Sequence, residues 1–263
     1  MVYFCRNPGI RFAYKRNKMK HKGKISLILT IALLVSVVQG AKNSTFRKFI
    51  PEKFSSCEES KTSCFGIDIS RYQTVNFNLL DSNISFVFCK ATEGSKLIDR
   101  KFNYHWENIG SHLKKGAYHF FRPYANGKDQ AKLFLSTVNF SSGHLAPVID
   151  VEGERGYSKL NPRIYVANLK IMIREIEETL GVRPIIYTNT HFWNRYFSTH
   201  MKDMVREYRL WVADYRDREE PVIPHGWEDW AIWQHTCKGR IKGISHDVDL
   251  NVCKLNLDEL VIP

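Results

Sequence analysis

In Leu145-Ala-Pro-Val-Ile-Asp-Val-Glu-Gly153, a short apolar run leads directly to two acids. An apolar run of this length, bounded by glycines, is typical of a buried β-strand. Asp150 and Glu152 are two residues apart, so in a strand both carboxyl groups project from the same face. Two acids this close beside an apolar core differ in pKa, which supplies a proton donor and an anionic stabiliser. A lone D-x-E tripeptide is also common by chance, and one acid could instead cap a helix.

Seven other short apolar runs have the character of strands, each bounded by polar or turn-forming residues. They are Phe65–Ser70, Phe86–Glu93, Gly116–Phe121, Pro184–Thr188, Leu210–Asp214, Ala231–Gln234 and Val248–Asn251. Apolar residues at helical spacing lie between several of them, over 101–114, 128–138 and 162–180. Eight strands that alternate with helices predict an α/β fold, a TIM-like (β/α) barrel with parallel strands in its first five units. Because only loops separate the last three strands, we expect an irregular barrel whose last strands lack full helices.

Polar or aromatic side chains mark the end of every predicted strand. In a parallel barrel these ends meet on one face, which is where barrel active sites lie. Any one of them could be a cap or a loop anchor, but their recurrence at eight strands predicts a functional site. They are Asp68, Ser70, Thr92, Glu93, His119, Asp150, Glu152, Tyr187, Asp214, Gln234 and Asp249.

The net charge of the 263-residue chain, +12, is concentrated near its beginning. Residues 1–40 hold eight Lys and Arg side chains and no acid, so the rest of the chain carries only +4. A nucleic-acid-binding domain would carry its basic residues as a patch on the folded domain. We therefore expect no nucleic acid as a partner.

The first 40 residues contain the three parts of a secretory signal. A basic stretch precedes an apolar run over 25–38, and small residues lead to Gly40. Met19 would begin a signal of ordinary length and is an alternative start. The apolar run is short for a membrane span, which needs about 20 residues, although an uncleaved anchor stays open. The expected organisation is a signal peptide over 1–40, a linker over 41–63 and a barrel domain over 64–263.

Five cysteines lie beyond the predicted signal, which is an odd number. For an oxidising compartment we expect the short-loop pairs Cys57–Cys64 and Cys237–Cys253. Cys89 lies inside an apolar strand and is expected to be a small core residue. The His and Cys residues show no metal-ligand spacing, so no metal and no cofactor are expected.

Eight short motifs follow one another between about residues 65 and 254. They are Gly66-Ile-Asp-Ile-Ser-Arg-Tyr-Gln73, Lys90-Ala-Thr-Glu-Gly94, Gly116-Ala-Tyr-His-Phe-Phe-Arg-Pro123, Pro147-Val-Ile-Asp-Val-Glu152, Pro184-Ile-Ile-Tyr-Thr188, Leu210-Trp-Val-Ala-Asp-Tyr215, Trp233-Gln234 and Gly243-Ile-Ser-His-Asp-Val-Asp-Leu-Asn251. Together they resemble glycoside hydrolase family 25, the Chalaropsis-type lysozymes. The resemblance implies a (β/α)-barrel variant that cleaves the β-1,4 bond between N-acetylmuramic acid and N-acetylglucosamine in peptidoglycan.

The same resemblance implies roles for individual residues. Glu152 matches the general acid of the family and Asp150 the carboxylate beside it, while Asp68 and Asp249 match the acids of the first and last motifs. We expect substrate contacts from Tyr118, Tyr187, Trp211, Asp214 and Gln234. The implied partner is bacterial peptidoglycan. The protein is expected to be a monomer that is secreted or lies in the periplasm or cell envelope. Membrane contact is expected only through the signal peptide or an uncleaved anchor.

The sequence departs from the family pattern at one place. After Gln73, Thr74-Val-Asn-Phe77 stands where related sequences commonly have Gly and then Trp, which bears on the outer part of the cleft. Three alternatives stay open: a non-catalytic glycan-binding module on the same barrel, a chitinase-like hydrolase, and a structural or immunity-type secreted protein. Loss of Glu152 or Asp150 would mark the binding module, and neither is lost.

Overall fold

A computed structural model describes residues 64–153 and 156–263. In these ranges nine strands form one sheet: β1 (Cys64–Ile69), β2 (Ile84–Glu93), β3 (Leu97–Ile98), β4 (Lys114–Phe120), β5 (Val148–Asp150), β6 (Ile185–Thr188), β7 (Leu210–Ala213), β8 (Ile232–Gly239) and β9 (Val248–Cys253). The sheet order is β1-β9-β8-β7-β6-β5-β4-β2-β3, and pairing of β1 with β2 closes eight strands into a barrel. The short β3 pairs with the end of β2 and stands outside the barrel.

The described part of the chain has five α-helices: α1 (Phe102–Asn108), α2 (Gly127–Thr137), α3 (Pro162–Leu180), α4 (Thr190–Tyr196) and α5 (Ser198–Met201). Helix α3 has its predicted bounds. It begins after Asn161, whose side chain accepts a hydrogen bond from the backbone N–H of Arg163, and it ends at Gly181, which has a left-handed φ of 66°. Helix α1 is shorter than predicted because the backbone becomes extended at Ile109.

Apolar side chains fill two layers, one on each side of the strands. The cluster inside the barrel contains no residue of α1–α5 and includes Phe86, Phe88, Val148, Ile185, Trp211 and Ile232. The outer cluster packs the opposite faces of the same strands against the helices and includes Val87, Ile149, Ile186, Val212, Phe134, Leu169 and Ile173. Successive strand residues point to opposite faces, and here both faces are buried, which explains the continuous apolar runs in the sequence.

Strand direction changes at the last strand. Six neighbouring pairs around the barrel are parallel, and the two pairs that include β9 are antiparallel. Only loops connect β7 to β8 and β8 to β9, so the predicted α/β barrel with an irregular final part is confirmed. The sequence also predicts Asp249 near the carboxyl end of a strand, and this is wrong. Asp249 is the second residue of β9, and the reversed direction of β9 brings its beginning to the rim where the parallel strands end.

Cysteine pairing differs from the expectation. Cys237 takes part in a disulfide bond, whereas Cys64, Cys89 and Cys253 are free thiols. The predicted pairs Cys57–Cys64 and Cys237–Cys253 are therefore wrong, since each includes a free cysteine. Short sequence spacing is misleading here because Cys64 and Cys253 lie opposite each other on the first and last strands. Cys89 is a buried core residue, as predicted.

The predicted signal peptide and linker lie outside the described residues. Among the helices that are described, none combines the length and the apolar character that a bilayer span requires. The longest of them, α3 with 19 residues, carries charged side chains that include Lys170, Arg174 and Glu178.

Candidate active site

The rim at the carboxyl ends of the parallel strands carries four acids. Asp68 lies near the end of β1, Asp150 is the last residue of β5, and Glu152 follows two residues later. Asp249 faces Asp68 directly across the antiparallel β1–β9 ladder. Burial, and after it the charges of Glu152 and Asp68, raise the pKa values of both Asp150 and Asp249. The structure thus brings together all four acids that the sequence predicts as catalytic.

Gln234, on β8, connects these acids to two tyrosines. Its Nε2 donates to Asp68 Oδ2 at 2.7 Å, while its Oε1 accepts from the hydroxyls of Tyr187 at 2.8 Å and Tyr215 at 2.5 Å. Gln234 is only 3% exposed, so these bonds form in a medium of low dielectric constant. A side-chain amide can donate to a carboxylate and accept from hydroxyls at the same time. This double capacity explains the choice of Gln at a point where an acid and two hydroxyls meet.

A second amide supports the same carboxylate from β9. Asn251 Nδ2 donates to Asp68 Oδ2 at 2.9 Å, and Asn251 Oδ1 accepts from the indole N–H of Trp211 at 2.8 Å. Trp211 is 2% exposed and packs against Phe88 and Tyr187. Through its indole N–H, Trp211 orients the amide that holds Asp68. The substrate contact expected from Trp211 stays a prediction.

Burial gives Asp68 and Asp249 an unusual affinity for protons. It raises the pKa of Asp68 to about 6, although the amide donors Asn251 and Gln234 lower it. Burial and then the charges of Asp68 and Glu152 raise the pKa of Asp249 well above its usual range. No cation is among the groups that offset either shift. The acids therefore share protons near neutral pH instead of being fully ionised.

Asp150 is buried, with 6% of its surface exposed, and its Oδ1 has no hydrogen-bond partner among the described residues. Burial, followed by the charge of Glu152, raises the pKa of Asp150 well above its usual range, while Lys90 lowers it. A buried acceptor without a donor costs roughly 1–3 kcal/mol. Such an atom calls for an explanation, and a donor supplied by a ligand is one.

Glu152 is more exposed than Asp150. Its charge raises the pKa values of Asp150 and Asp249, and those of Tyr187 and Tyr215 as well. These groups belong to β5, β9, β6 and the segment after β7. A carboxylate that acts on groups from so many elements lies in the middle of the rim.

Two tyrosines predicted as substrate contacts also lie among the acids. Burial and then the charges of Asp68 and Asp150 raise the pKa of Tyr118 well above its usual range. Burial and then the charge of Glu152 have the same effect on Tyr187. Both phenols therefore stay protonated at neutral pH and can donate hydrogen bonds.

A cluster of opposite charges lies beside Asp150, at the ends of β2 and β4. Glu93 accepts hydrogen bonds from Lys90 Nζ at 2.6 Å and from Arg122 Nε at 2.9 Å. Both cations also lie over the ring of Phe120, 4.7 and 4.5 Å from its centroid. Burial would raise the pKa of Glu93, but the two cations outweigh it and bring the pKa to about 2. The cluster keeps one net positive charge next to the acids.

Asp214, predicted as a substrate contact, forms hydrogen bonds with the segment that follows β7. Its carboxylate accepts from Arg216 Nε at 2.7 Å and from the backbone N–H of Val222 at 3.1 Å. Burial alone would raise its pKa, but these donors outweigh burial and lower it. Asp214 thus anchors the loop between β7 and β8, and the substrate contact expected from it stays a prediction.

Four members of this site are not among the predicted site residues: Asn251, Tyr215, Lys90 and Arg122. Tyr215 and Arg122 lie just after strand ends, so the rule that places functional residues there contained a signal for them. Lys90 lies within β2, three residues before its end. Asn251 is two residues after Asp249 on one strand, and strand alternation puts both on the same face. Its bonds to two distant strands could not be read from spacing.

Within the described ranges, no group of three or more His, Cys, Asp and Glu side chains is arranged to hold a metal ion. The chemistry available to the rim is that of its carboxyl groups, with amides and protonated phenols around them. Glycosidases cleave their substrate with a carboxyl group that donates a proton and a nearby carboxylate that stabilises positive charge, and the rim contains both. Fold and site together define the class as a barrel glycoside hydrolase.

Comparison with known proteins agrees with this class. The chain belongs to glycosyl hydrolases family 25, whose family model matches residues 67–244. It is 36% identical over 203 residues to the uncharacterised protein YegX of Escherichia coli (strain K12), covering 74% of this chain and 71% of YegX. It is 32% identical over 201 residues to lysozyme M1 of Streptomyces globisporus, covering 71% and 66%. The bacterial lysozyme from Streptomyces coelicolor matches with a TM-score of 0.70 and 29% identity, covering 77% of this chain and 96% of that one.

These matches confirm the resemblance found in the motifs. The chain is a glycoside hydrolase of the lysozyme type. The barrel with its helices corresponds to the fold of the Streptomyces coelicolor lysozyme.

Proposed function

We propose that the protein is a muramidase that hydrolyses the β-1,4 bond between N-acetylmuramic acid and N-acetylglucosamine in bacterial peptidoglycan. The observation that carries this proposal is the buried Asp150 Oδ1 without a donor, next to Glu152. A sugar with a 2-acetamido group would bring the missing N–H to this oxygen. Membership of the family and likeness to lysozymes support the substrate class.

In this proposal Glu152 is the general acid. It is the more exposed member of the pair, so it can reach the oxygen of the bond to be cleaved. In the free enzyme the deeper Asp150 competes for the shared proton, because burial raises its pKa. When the acetamido N–H of the sugar donates to Asp150 Oδ1, the ionised form of Asp150 becomes more stable. The proton is then held by Glu152, where the leaving group needs it.

The acetamido group is also the proposed nucleophile. Its carbonyl oxygen attacks the anomeric carbon while Glu152 protonates the departing glycosidic oxygen, and water later opens the cyclic intermediate. Asp150 aligns the acetamido group through its N–H. The carboxylate of Asp68, the more readily ionised acid of the opposite pair, stabilises the positive charge that develops on the sugar, and Asp249 holds a proton beside it. A thiazoline analogue of the cyclic intermediate should inhibit competitively. A covalent sugar adduct trapped on Asp150 would rule out this mechanism.

We further propose that Tyr118 and Tyr187 contact the sugar as hydrogen-bond donors, since both stay protonated among the acids. Gln234 serves mainly to position Asp68, because it already makes three hydrogen bonds.

The substrate is tested by digesting purified peptidoglycan and chitin oligosaccharides with the protein, reducing the new ends with borohydride, and identifying them by mass spectrometry. Reduced muramic acid is the expected product. Reduced glucosamine from peptidoglycan, or faster cleavage of chitin, would contradict a muramidase. Binding to peptidoglycan without new ends would favour the glycan-binding module.

Secretion is proposed on the signal-like sequence of residues 1–40. Sequencing the amino terminus of protein exported from cells tests it, with Ala41 as the expected first residue. A retained amino terminus in the membrane fraction would point to the uncleaved anchor.

A further inference from the structure

Two of the free cysteines are paired partners in the sheet. Cys64 begins β1 and Cys253 ends β9, and they lie directly opposite each other in the antiparallel ladder. Both belong to the apolar cluster inside the barrel and are 7% and 5% exposed. Each thiol affects the pKa of the other, and the Cys253 thiol donates a hydrogen bond to the carbonyl oxygen of Leu255 at 3.0 Å.

This geometry matches the requirements of a disulfide. Residues directly opposite each other in an antiparallel pair have Cα atoms about 4.5–5.5 Å apart. Disulfide-bonded cysteines usually have Cα atoms about 4.4–6.8 Å apart. Directly opposite residues of an antiparallel ladder project from the same face, so the two side chains lie side by side inside the barrel. A bond between them therefore requires rotation of the side chains and no rearrangement of the strands.

We propose that Cys64 and Cys253 form a disulfide that links the first strand of the barrel to the last when the protein folds in the presence of a disulfide donor. The donor is an oxidised thiol-disulfide oxidoreductase or glutathione disulfide. One thiolate attacks a sulfur of the donor, forms a mixed disulfide and releases one donor thiol. The second cysteine then loses its proton, attacks the bonded protein sulfur and releases the other donor thiol. The two protein thiols are oxidised and the donor disulfide is reduced.

The environment indicates which cysteine reacts first. The hydrogen bond from Cys64 lowers the pKa of Cys253, and the same bond together with burial raises the pKa of Cys64. Cys253 is therefore the better initial nucleophile. Cys89 lies on β2 away from the seam, where burial raises the pKa of its thiol, and it stays reduced.

The disulfide would act on the active-site rim through strand register. Cys64 and Asp68 are four residues apart on β1, and Cys253 and Asp249 are four apart on β9, so both pairs lie on the same face of the ladder. A covalent bond at one end of the seam prevents the strands from slipping and so keeps Asp68 opposite Asp249. It also closes a loop of about 190 residues, and long loops gain the most from closure in the chain-entropy model.

Tryptic mapping of the full chain, folded in glutathione redox buffer and alkylated without reduction, tests the bond. Linked peptides 62–71 and 243–254 are expected, while peptide 72–90, which contains Cys89, should carry the alkyl label. Labelled Cys64 and Cys253 in separate peptides, or either one linked to another cysteine, would overturn the proposal. The map requires no enzymatic activity, so its outcome is independent of the proposed function.

Matched variants test the consequence of the bond. Cys64→Ala and Cys253→Ala should each lower the Tm of oxidised protein by roughly 5 °C or more, and the double variant should lose no more than either single one. Cys89→Ala is the control, because it removes a buried thiol and leaves the disulfide between Cys64 and Cys253 intact. Additive losses in the double variant would show that the cysteines act only as separate core residues and would contradict the proposal.

Discussion

Asp68 and Asp249 lie directly opposite each other, one on the first strand of the barrel and one on the last. Like charges directly opposite in a sheet destabilise it. The pKa values of both acids are raised by burial, and Asp68 is held by two neutral amides, Gln234 and Asn251. A pair of this kind contributes little to stability, so its presence at the rim is best explained by function.

Replacing Asp68 by Asn should alter the pH dependence of stability. The pKa of Asp68 rises from 3.8 to about 6 on folding, so native Asp68 keeps a proton that the unfolded chain loses. Its contribution to stability is therefore present below about pH 4 and lost as the pH rises through 6. Asp68→Asn should make the free energy of unfolding fall less between pH 4 and 7. The difference at pH 7 should be at most about 3 kcal/mol, since one pKa unit corresponds to about 1.4 kcal/mol.

Urea unfolding of the wild type and Asp68→Asn at several pH values measures this effect. Asp203→Asn, at an exposed position, is the control. Identical pH slopes for the wild type and Asp68→Asn would contradict the account of Asp68.

Gln234→Glu should shift the pH profile of activity. The substitution keeps the oxygen that accepts from Tyr187 and Tyr215, but it replaces the donor to Asp68 by a second acid. A neighbouring negative charge raises the pKa of Asp68 further, so the acidic limb of kcat/KM should move upward by about one pH unit. Tyr215→Phe is the matched control, since it leaves the donor to Asp68 in place. An unshifted limb in Gln234→Glu would show that the ionisation of Asp68 does not govern activity.

Glu93→Gln should lower stability because it leaves Lys90 and Arg122 without their shared anion. The pKa of Glu93 falls from 4.5 to about 2 on folding, so the stabilisation is present above about pH 4.5 and lost as the pH falls toward 2. At pH 7 the expected loss is roughly 1–3 kcal/mol, and it should shrink at pH 3.

Glu207→Gln provides the comparison, because its ion pair with Arg183 is exposed on both sides. Exposed pairs contribute about 0–1 kcal/mol. If urea unfolding shows that Glu93→Gln and Glu207→Gln lower the free energy of unfolding equally, the cluster around Phe120 stabilises the protein no more than an exposed ion pair does.

Asp214→Ala should reduce stability by roughly 1–3 kcal/mol while the folded enzyme keeps its kcat within about threefold. The reason is that the carboxylate of Asp214 is already engaged in anchoring a loop through Arg216 and Val222. Thermal unfolding and steady-state kinetics below the Tm measure the two effects. A large loss of kcat with an unchanged Tm would restore the role of Asp214 as a substrate contact.

Much of the barrel could be predicted because its strands are buried on both faces and so appear as apolar runs. All eight barrel strands were found, and the bounds of α3 followed from Pro162 and Gly181. Strand β8 extends to Gly239, five residues beyond its prediction, because its irregular final part is polar. The direction of β9 was not predictable from its composition, since side chains alternate between the two faces of the sheet in parallel and antiparallel strands alike.

The acids of the site could be predicted from the sequence, but the side chains that form hydrogen bonds with them could be predicted less well. Acids at strand ends are visible in the sequence, and the rule that strand ends converge placed Asp68 and Asp150 on one rim. The bond between Gln234 and Asp68 joins residues 166 positions apart, and no local pattern reveals it. The hydrogen bonds that tie Trp211 and Asp214 to neighbouring elements could not be predicted either, because the residue type alone indicates only a possible substrate contact.

The role of Glu152 as the proton donor is tested by comparing the wild type with Glu152→Gln on purified peptidoglycan, with Glu207→Gln as a surface control. We predict that Glu152→Gln releases reducing ends at least 100-fold more slowly than the wild type, while its Tm and its binding to the glycan are retained. Release of muramic acid ends by Glu152→Gln at the rate of the wild type would contradict Glu152 as the proton donor.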